Sequence, residues 1–240
     1  MRKSPLTDLI GIELNPSSHS EKLISGIGAF IAIFAIYNIS FLILGEDALL
    51  LVTSMGAAAV LLFSVPHGPL SQPWPLFGGN MISAFAGVSC AQSVPDTFIA
   101  AAAAVGLSVT LMYYLKCIHP PGGATALSAV VSGSAVDSLG FQYVITPVLL
   151  NVLVIFSVAV LFNLLFKWRR YPARLAKVEA KNSTTANESP MLSHQSIEHA
   201  LREIDSFIDI SEEDLNRIYL LASEYDNSTE VKKGVNKPGQ

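Results

Sequence analysis

The chain has 240 residues, 51% of them hydrophobic and 14% charged, well below the charged share of an ordinary soluble domain. Between Leu23 and Phe166 the charged side chains are Glu46, Asp47, Asp96, Lys116 and Asp137; the other 29 of the 34 lie at the two ends. Five charges cannot cover a folded core of 144 residues in water, which excludes a soluble enzyme or nucleic-acid binder and leaves a membrane protein with polar ends.

Residues 1–22 form a polar N-terminal segment, and no cleavable signal peptide is read there, because the first apolar run starts only at Leu23 and is too long for one. Residues 23–168 then hold the membrane domain. Segments 23–44, 98–118 and 143–166 have full spanning length: at 1.5 Å per residue a 22-residue helix reaches about 33 Å, against about 30 Å of hydrocarbon. Three others are short or interrupted. Segment 49–65 carries Ser54 and Gly56, segment 80–94 carries Gly87, and segment 124–136 is too short to cross unaided. The expected fold class is all-α: a polytopic membrane bundle of about six helical segments, with four to six crossings.

The loops orient it. With six crossings, the N-terminal segment, the 66–78 loop, the 117–122 loop and the chain after Phe166 share one side. That side holds Arg2, Lys3, Lys22, Lys116, Lys167, Arg169, Arg170, Arg174, Lys177 and Lys181. Glu46, Asp47, Asp96 and Asp137 fall on the other. Basic loops mark the cytoplasmic side, so both termini are expected there in a multi-pass protein of the cell (inner) membrane. Four crossings with two re-entrant segments would orient the ends alike.

The six segments also fall into two triplets. Gly56-Ala57-Ala58-Ala59-Val60 matches Gly123-Ala124-Thr125-Ala126-Leu127 at three of five positions, each stretch in the second segment of its triplet. Repeats with an odd number of crossings insert in opposite senses, the inverted plan of many secondary transporters.

The sharpest local feature is His119-Pro120-Pro121-Gly122-Gly123-Ala124-Thr125. Two prolines stop the preceding helix, two glycines allow close approach, and a small-residue helix is expected to open after them. The amides of its first turn have no helical partner and carry partial positive charge, as at an anion-receiving helix start. Ser54, Gly56 and Ala57 open the counterpart, and the two starts are expected to face each other across an anion site. The same pattern reads equally as a proline break with glycines for tight helix packing. His119 itself invites proton coupling, although a histidine fixing the loop by hydrogen bonding is the simpler reading. His67, Gln72 and Asn80, in and after the proline-rich 66–75 loop, are candidates for a vestibule. Lys116 either lends positive potential to a pore mouth or, more simply, snorkels to the headgroups.

Cys90 and Cys117 show no metal-ligand spacing and read as packing residues. No metal, cofactor or catalytic constellation is expected, so the protein is not read as an enzyme. After Phe166, residues 167–171 read as an aromatic and basic interfacial anchor, 169–192 as linker, 193–227 as a small acidic helical hairpin opened by a capping box at Ser211, and 228–240 as a disordered tail.

With these residues in view, the chain resembles the HPP family of integral membrane proteins, over about residues 23–166. The resemblance rests on Ser54 through Leu61, Pro66 through Pro73 and His119 through Leu127, with Met55 where a proline is usual and His67 where a small residue is common. It implies four spanning helices and, because plant and cyanobacterial members are associated with nitrite transport, a small monovalent inorganic anion as substrate. The function expected is therefore a small-anion transporter or channel, nitrite being one candidate. The alternative is a non-transporting scaffold or sensor whose acidic tail docks a regulator. The partners expected are the lipid bilayer, the anion and a second copy of the chain, the homodimer being suggested by the Gly/Ala-rich faces.

Overall fold

The computed structural model describes residues 18–45, 53–175 and 215–220. Six helices carry the fold: α1 His19–Leu44, α2 Thr53–Ser64, α3 Asn80–Ser93, α4 Thr97–Tyr114, α5 Pro120–Val131 and α6 Leu150–Leu164. No strand occurs among the described residues. Among the described residues three helical stretches are long and apolar enough to cross a membrane, His19–Ile43, Thr97–Tyr114 and Val144–Leu164. Their outer surfaces carry bare apolar side chains such as Phe30, Phe34, Leu42, Phe98 and Leu161, which water would not tolerate and lipid does. The chain is a helical membrane bundle.

Local chemistry sets the helix ends. α1 begins a turn before the apolar run because the Ser18 side chain accepts the Glu21 N–H (3.1 Å), and Glu21 complements the first-turn dipole. Asp96 caps α4 in the same way through the Ile99 N–H (2.9 Å). α4 ends at Tyr114, short of the expected residue 118. Lys116 there turns into the left-handed region (φ +54°), the Cys117 N–H bonds the Met112 carbonyl, and the Lys116 N–H bonds the Tyr113 carbonyl. This is a Schellman end with lysine in the place glycine usually fills.

α5 corrects the sequence reading at its start. Pro120 and Pro121 are the first turn of the helix itself, not a break ahead of one. Their fixed φ suits that turn, where an amide would have no helical partner anyway. Before α3 and before α6 the chain forms π turns, Pro75–Gly79 and Val144–Leu149.

Side-chain bonds fix the faces. Arg169, after α6, pairs with Glu21 at the start of α1 and bonds the Phe63 carbonyl at the end of α2. Trp74 Nε1 donates to Leu115 O at the end of α4 (3.0 Å), and His119 Nδ1 lies 3.0 Å from Leu70 O. The start of α1, the ends of α2, α4 and α6, the 66–74 loop and the start of α5 therefore share one face, here the basic face. At the other, acidic face lie Asp96 and Asp137, and Thr53 at the start of α2 meets Ser128 late in α5 (Oγ1 to Oγ 3.5 Å).

The helices thus alternate in direction. α1, α2 and α3 run in the senses opposite to α4, α5 and α6. Each triplet has one long helix, one of 12 residues, and a π turn followed by a helix of 14 or 15 residues. Packing follows the same exchange: α6 lies on α1 and α2, α3 lies on α4 and α5, and α2 meets α5 between the two groups. The main apolar cluster bridges both groups, joining Ile36, Leu62, Phe63, Val152 and Ile155 to Ala84 and Val88 of α3 and Ala129 of α5, while Cys90, Ala100, Ala104 and Ala126 form a second, smaller one. Ring contacts such as Phe77 with Phe156 (centroids 5.3 Å) tie one π turn to the opposite group.

Of the tail, Leu215–Leu220 is helical; the rest of the expected hairpin, its capping box and the disordered tail lie outside the described residues. Residues 169–173, expected to begin the linker, are packed into the membrane domain, with Arg169 and Tyr171 fully buried.

Candidate functional site

One group of buried polar side chains gathers where α3 and its π turn meet α5, apart from the Ser40–Asn151 pair between α1 and α6. In a regular helix the Asn80 backbone N–H would take the Leu76 carbonyl. Here that N–H turns to Phe77 O, and the Asn80 side-chain amide donates to Leu76 O instead (2.8 Å). Asn80 Oδ1 is then free to accept from the Thr125 hydroxyl (2.7 Å), and Tyr143 donates its hydroxyl to the Thr125 carbonyl (3.3 Å). Asn80, Thr125, Tyr143 and His119 are all buried.

Close approach makes this junction. A Cβ on Gly79 would stand 2.5 Å from His119 Cβ and 3.0 Å from Cys117 O; one on Gly122 would stand 2.7 Å from Ser83 Oγ and 2.9 Å from Gly79 O. Glycine is required at both positions because backbone meets backbone. Gly123, the next residue, has open space where a Cβ would be.

His119 is the residue before α5, and its ring ties two loops together through Leu70 O. A carbonyl only accepts, so Nδ1 carries a proton. Nε2 is buried with no partner in the protein. His119 lies between the end of α4 and the start of α5, outside the three apolar spans, and burial pushes its pKa down to about 4 against the opposing Leu70 bond. The ring is neutral near pH 7, and Nε2 is then a lone pair awaiting a donor.

The sequence-expected residues divide. His119, Gly122, Thr125 and Asn80 do come together. Gly123 and Ala124 lie half-buried beside them. Ser54 is buried in α2, whereas Gly56 and Ala57 are exposed on its outer face. The two glycine-opened helix starts do not face one another: α2 and α5 pack antiparallel, so Thr53 sits beside Ser128 and each start lies toward the other helix's end. Nor is the α5 start rich in free amides. Pro120 and Pro121 have none and the Gly122 N–H donates to His119 O (2.8 Å), which leaves at most that of Gly123 among the first four.

His67 and Gln72 are half-buried and act in the 66–74 loop. His67 Nε2 lies 3.0 Å from Arg170 O, Gln72 donates to the carbonyls of Pro66 (3.1 Å) and Gly68 (2.9 Å), and its oxygen accepts the Ala173 N–H (3.1 Å). Tyr171 donates to Ser71 O (2.8 Å). Lys116 is exposed. Arg169 is a buried group that the sequence does not reveal: it pairs with Glu21 and also bonds Asn163 Oδ1 (3.1 Å), Ser25 Oγ (3.2 Å) and Phe63 O. Only its basic neighbours are visible in sequence, and they read as a surface anchor. Among the described residues no His, Cys, Asp and Glu cluster could hold a metal ion.

Comparison with known proteins agrees with this architecture. The model of the HPP transmembrane region matches residues 14–172. Two proteins of Dictyostelium discoideum, each named only as a transmembrane protein, are similar. One is 35% identical over 153 residues, covering 62% of this chain and 49% of its own length. The other is 37% identical over 126 residues, covering 51% and 44%. The chain thus spans about half the length of the curated relatives it matches. No solved structure matches it.

Proposed function

The chain belongs to the HPP transmembrane-region family, and from that premise we propose that it carries a small monovalent anion, nitrite being the first to test, across the cell membrane with both termini cytoplasmic. The observation that supports transport is the inverted pairing of the two triplets, with their short middle helices in contact between the two groups. A static scaffold has no need of two oppositely directed copies of one unit; a carrier that opens alternately to two sides does. Charge favours an anion and the orientation. Lys116, Lys167, Arg170 and Arg174 stand on the basic face and Asp96 and Asp137 on the other, which attracts anions to the basic side and marks it cytoplasmic.

Purified protein in liposomes is offered nitrite, nitrate, formate or chloride, and uptake is compared with protein-free vesicles. Uptake of at least one, reduced by Gly123→Leu at the open glycine, is the expected result. No uptake of any overturns the proposal. A chain ending at Arg174 should still transport; a protein whose cellular role is lost with the tail while no anion moves is the scaffold instead.

A further inference from the structure

The unpartnered Nε2 of His119 is not needed to hold the loops, because Nδ1 does that alone. We infer that Nε2 is the point at which a proton is taken up together with the anion, so that the two cross as an electroneutral pair. This rests on the transport reading above and adds to it the coupling ion and the residue that carries it.

The tautomer makes the argument. Leu70 O holds the proton on Nδ1, so Nε2 has two states only: a lone pair in the neutral ring, or an N–H in the charged ring. The neutral ring offers an anion nothing. The charged ring offers a charge-assisted donor, but in a fully buried place. An anion alone and an imidazolium alone are each costly there; together they neutralise each other. Binding of either therefore favours binding of the other. The step balances: the Nε2 lone pair takes one proton from the side of entry, the N–H donates to one anion, and proton and anion leave together on the far side with the ring neutral again.

The surroundings supply no rival partner. The 66–74 loop brings His67, already bonded to Arg170 O. The end of α4 brings exposed Tyr113, Tyr114 and Lys116, and buried Cys117. The segment after α6 brings Arg170 and Tyr171, the latter bonded to Ser71 O. Tyr143 reaches Thr125 O, and Cys90 lies near the far end of α3. Among the described residues no carboxylate lies in α2, α3, α5 or the 66–74 loop, and Glu21 on the same face is taken by Arg169 and Trp168, so a mobile anion is the partner left for a charged Nε2.

The test uses histidine ring nitrogens labelled with 15N in the full chain in nanodiscs, with His119→Asn to assign the signal. Asparagine keeps an N–H for Leu70 O and removes Nε2. Without anion at pH 6.5, Nε2 of His119 should show the shift of an unprotonated nitrogen; saturating sodium nitrite should move it to the protonated position while Nδ1 stays protonated. In liposomes, nitrite entry should acidify the lumen, and His119→Asn, which has no Nε2, should abolish that proton-linked uptake. An Nε2 signal that nitrite leaves unchanged, as for a nitrogen bonded to a buried water only, overturns the inference. So does His119→Asn with proton-linked uptake intact. Uptake that is real but unlinked to protons sinks this inference alone, whereas no anion uptake by the wild type sinks both readings.

Discussion

Gly122 and Gly123 are neighbours in one motif, yet adding one methyl group should separate them. In Gly122→Ala the new Cβ would stand 2.7 Å from Ser83 Oγ, 2.9 Å from Gly79 O and 3.3 Å from Gly79 C. The serine hydroxyl can rotate away. The Gly79 backbone cannot, because its own open side is filled by His119 Cβ at 2.5 Å from where a Cβ would be. The start of α5 must then move off α3, and overpacking of this kind costs about 1–3 kcal/mol; one yielding obstacle of two puts the expected loss near ~2 kcal/mol. Gly123→Ala meets nothing within 4 Å and should gain up to about 1 kcal/mol from helix propensity. The assay is reversible unfolding in mixed micelles as the denaturing detergent fraction is raised, with folded signal read by circular dichroism. The reasoning is refuted if Gly122→Ala matches wild type, or if Gly123→Ala is destabilised as much as its neighbour.

Arg169→Met should cost about 2–4 kcal/mol in the same assay, toward the lower part of the range for broken buried pairs because Glu21 is partly exposed; wild-type stability would refute the clasp. Lys116→Gly should gain about 1 kcal/mol by relieving the left-handed residue at the end of α4, and a loss would mean that the lysine side chain matters more than its backbone. His119 has a folded-state pKa below its unfolded value of 6.5, so its neutral form is favoured by folding. That contribution is full above pH 6.5 and is lost as pH falls toward 4, by about 3 kcal/mol, in thermal melts that His119→Asn should flatten. Gln72→Ala removes bonds to Pro66, Gly68 and Ala173; if the loop covers Cys117, maleimide labelling of that thiol should quicken about fivefold, as for a net loss of about 1 kcal/mol. An unchanged labelling rate would place the thiol's cover elsewhere.

Much of the fold is legible because lipid imposes simple rules. The length of apolar runs marks α1, α4 and α6, and the separation of basic from acidic loops sorts helix ends into the two faces found here. Asn80–Ser93 starts where the sequence places it. What could not be read depends on partners distant in the chain. Pro120 and Pro121 look like a helix stop, and only their fit as a first turn against the 66–74 loop makes them a start. The π turns leave no periodic trace; at the first, the Asn80 side chain takes over the Leu76 carbonyl, and the second has Pro147 inside it. Arg169 is buried because Glu21, 148 residues away, meets it. His119, Gly122, Thr125 and Asn80 could each be picked out by type, but not that Gly122 packs rather than binds.

The starts of the two short helices, α2 and α5, lie toward opposite faces. Inverted repeats place equivalent helices antiparallel, so two short helices that overlap along their length carry their positive ends past one another instead of toward one point. Their starts therefore do not converge on one site; the two helices meet instead through Thr53 and Ser128. The basic face, meanwhile, is held by an unequal share of polar contacts. His67, Ser71 and Gln72 fasten the 66–74 loop to residues 170–173, and Leu70 fastens it to His119. The corresponding loop on the acidic face, residues 132–143, is held largely by its own turns, with Gly133 O accepting from Val136 and Asp137. Were the chain a carrier as proposed, opening the basic face would have to release the 66–74 loop from His119 and residues 170–173. Under the proton coupling proposed above, the ring that takes the proton would also be a tie on that loop, through Nδ1 and Leu70 O.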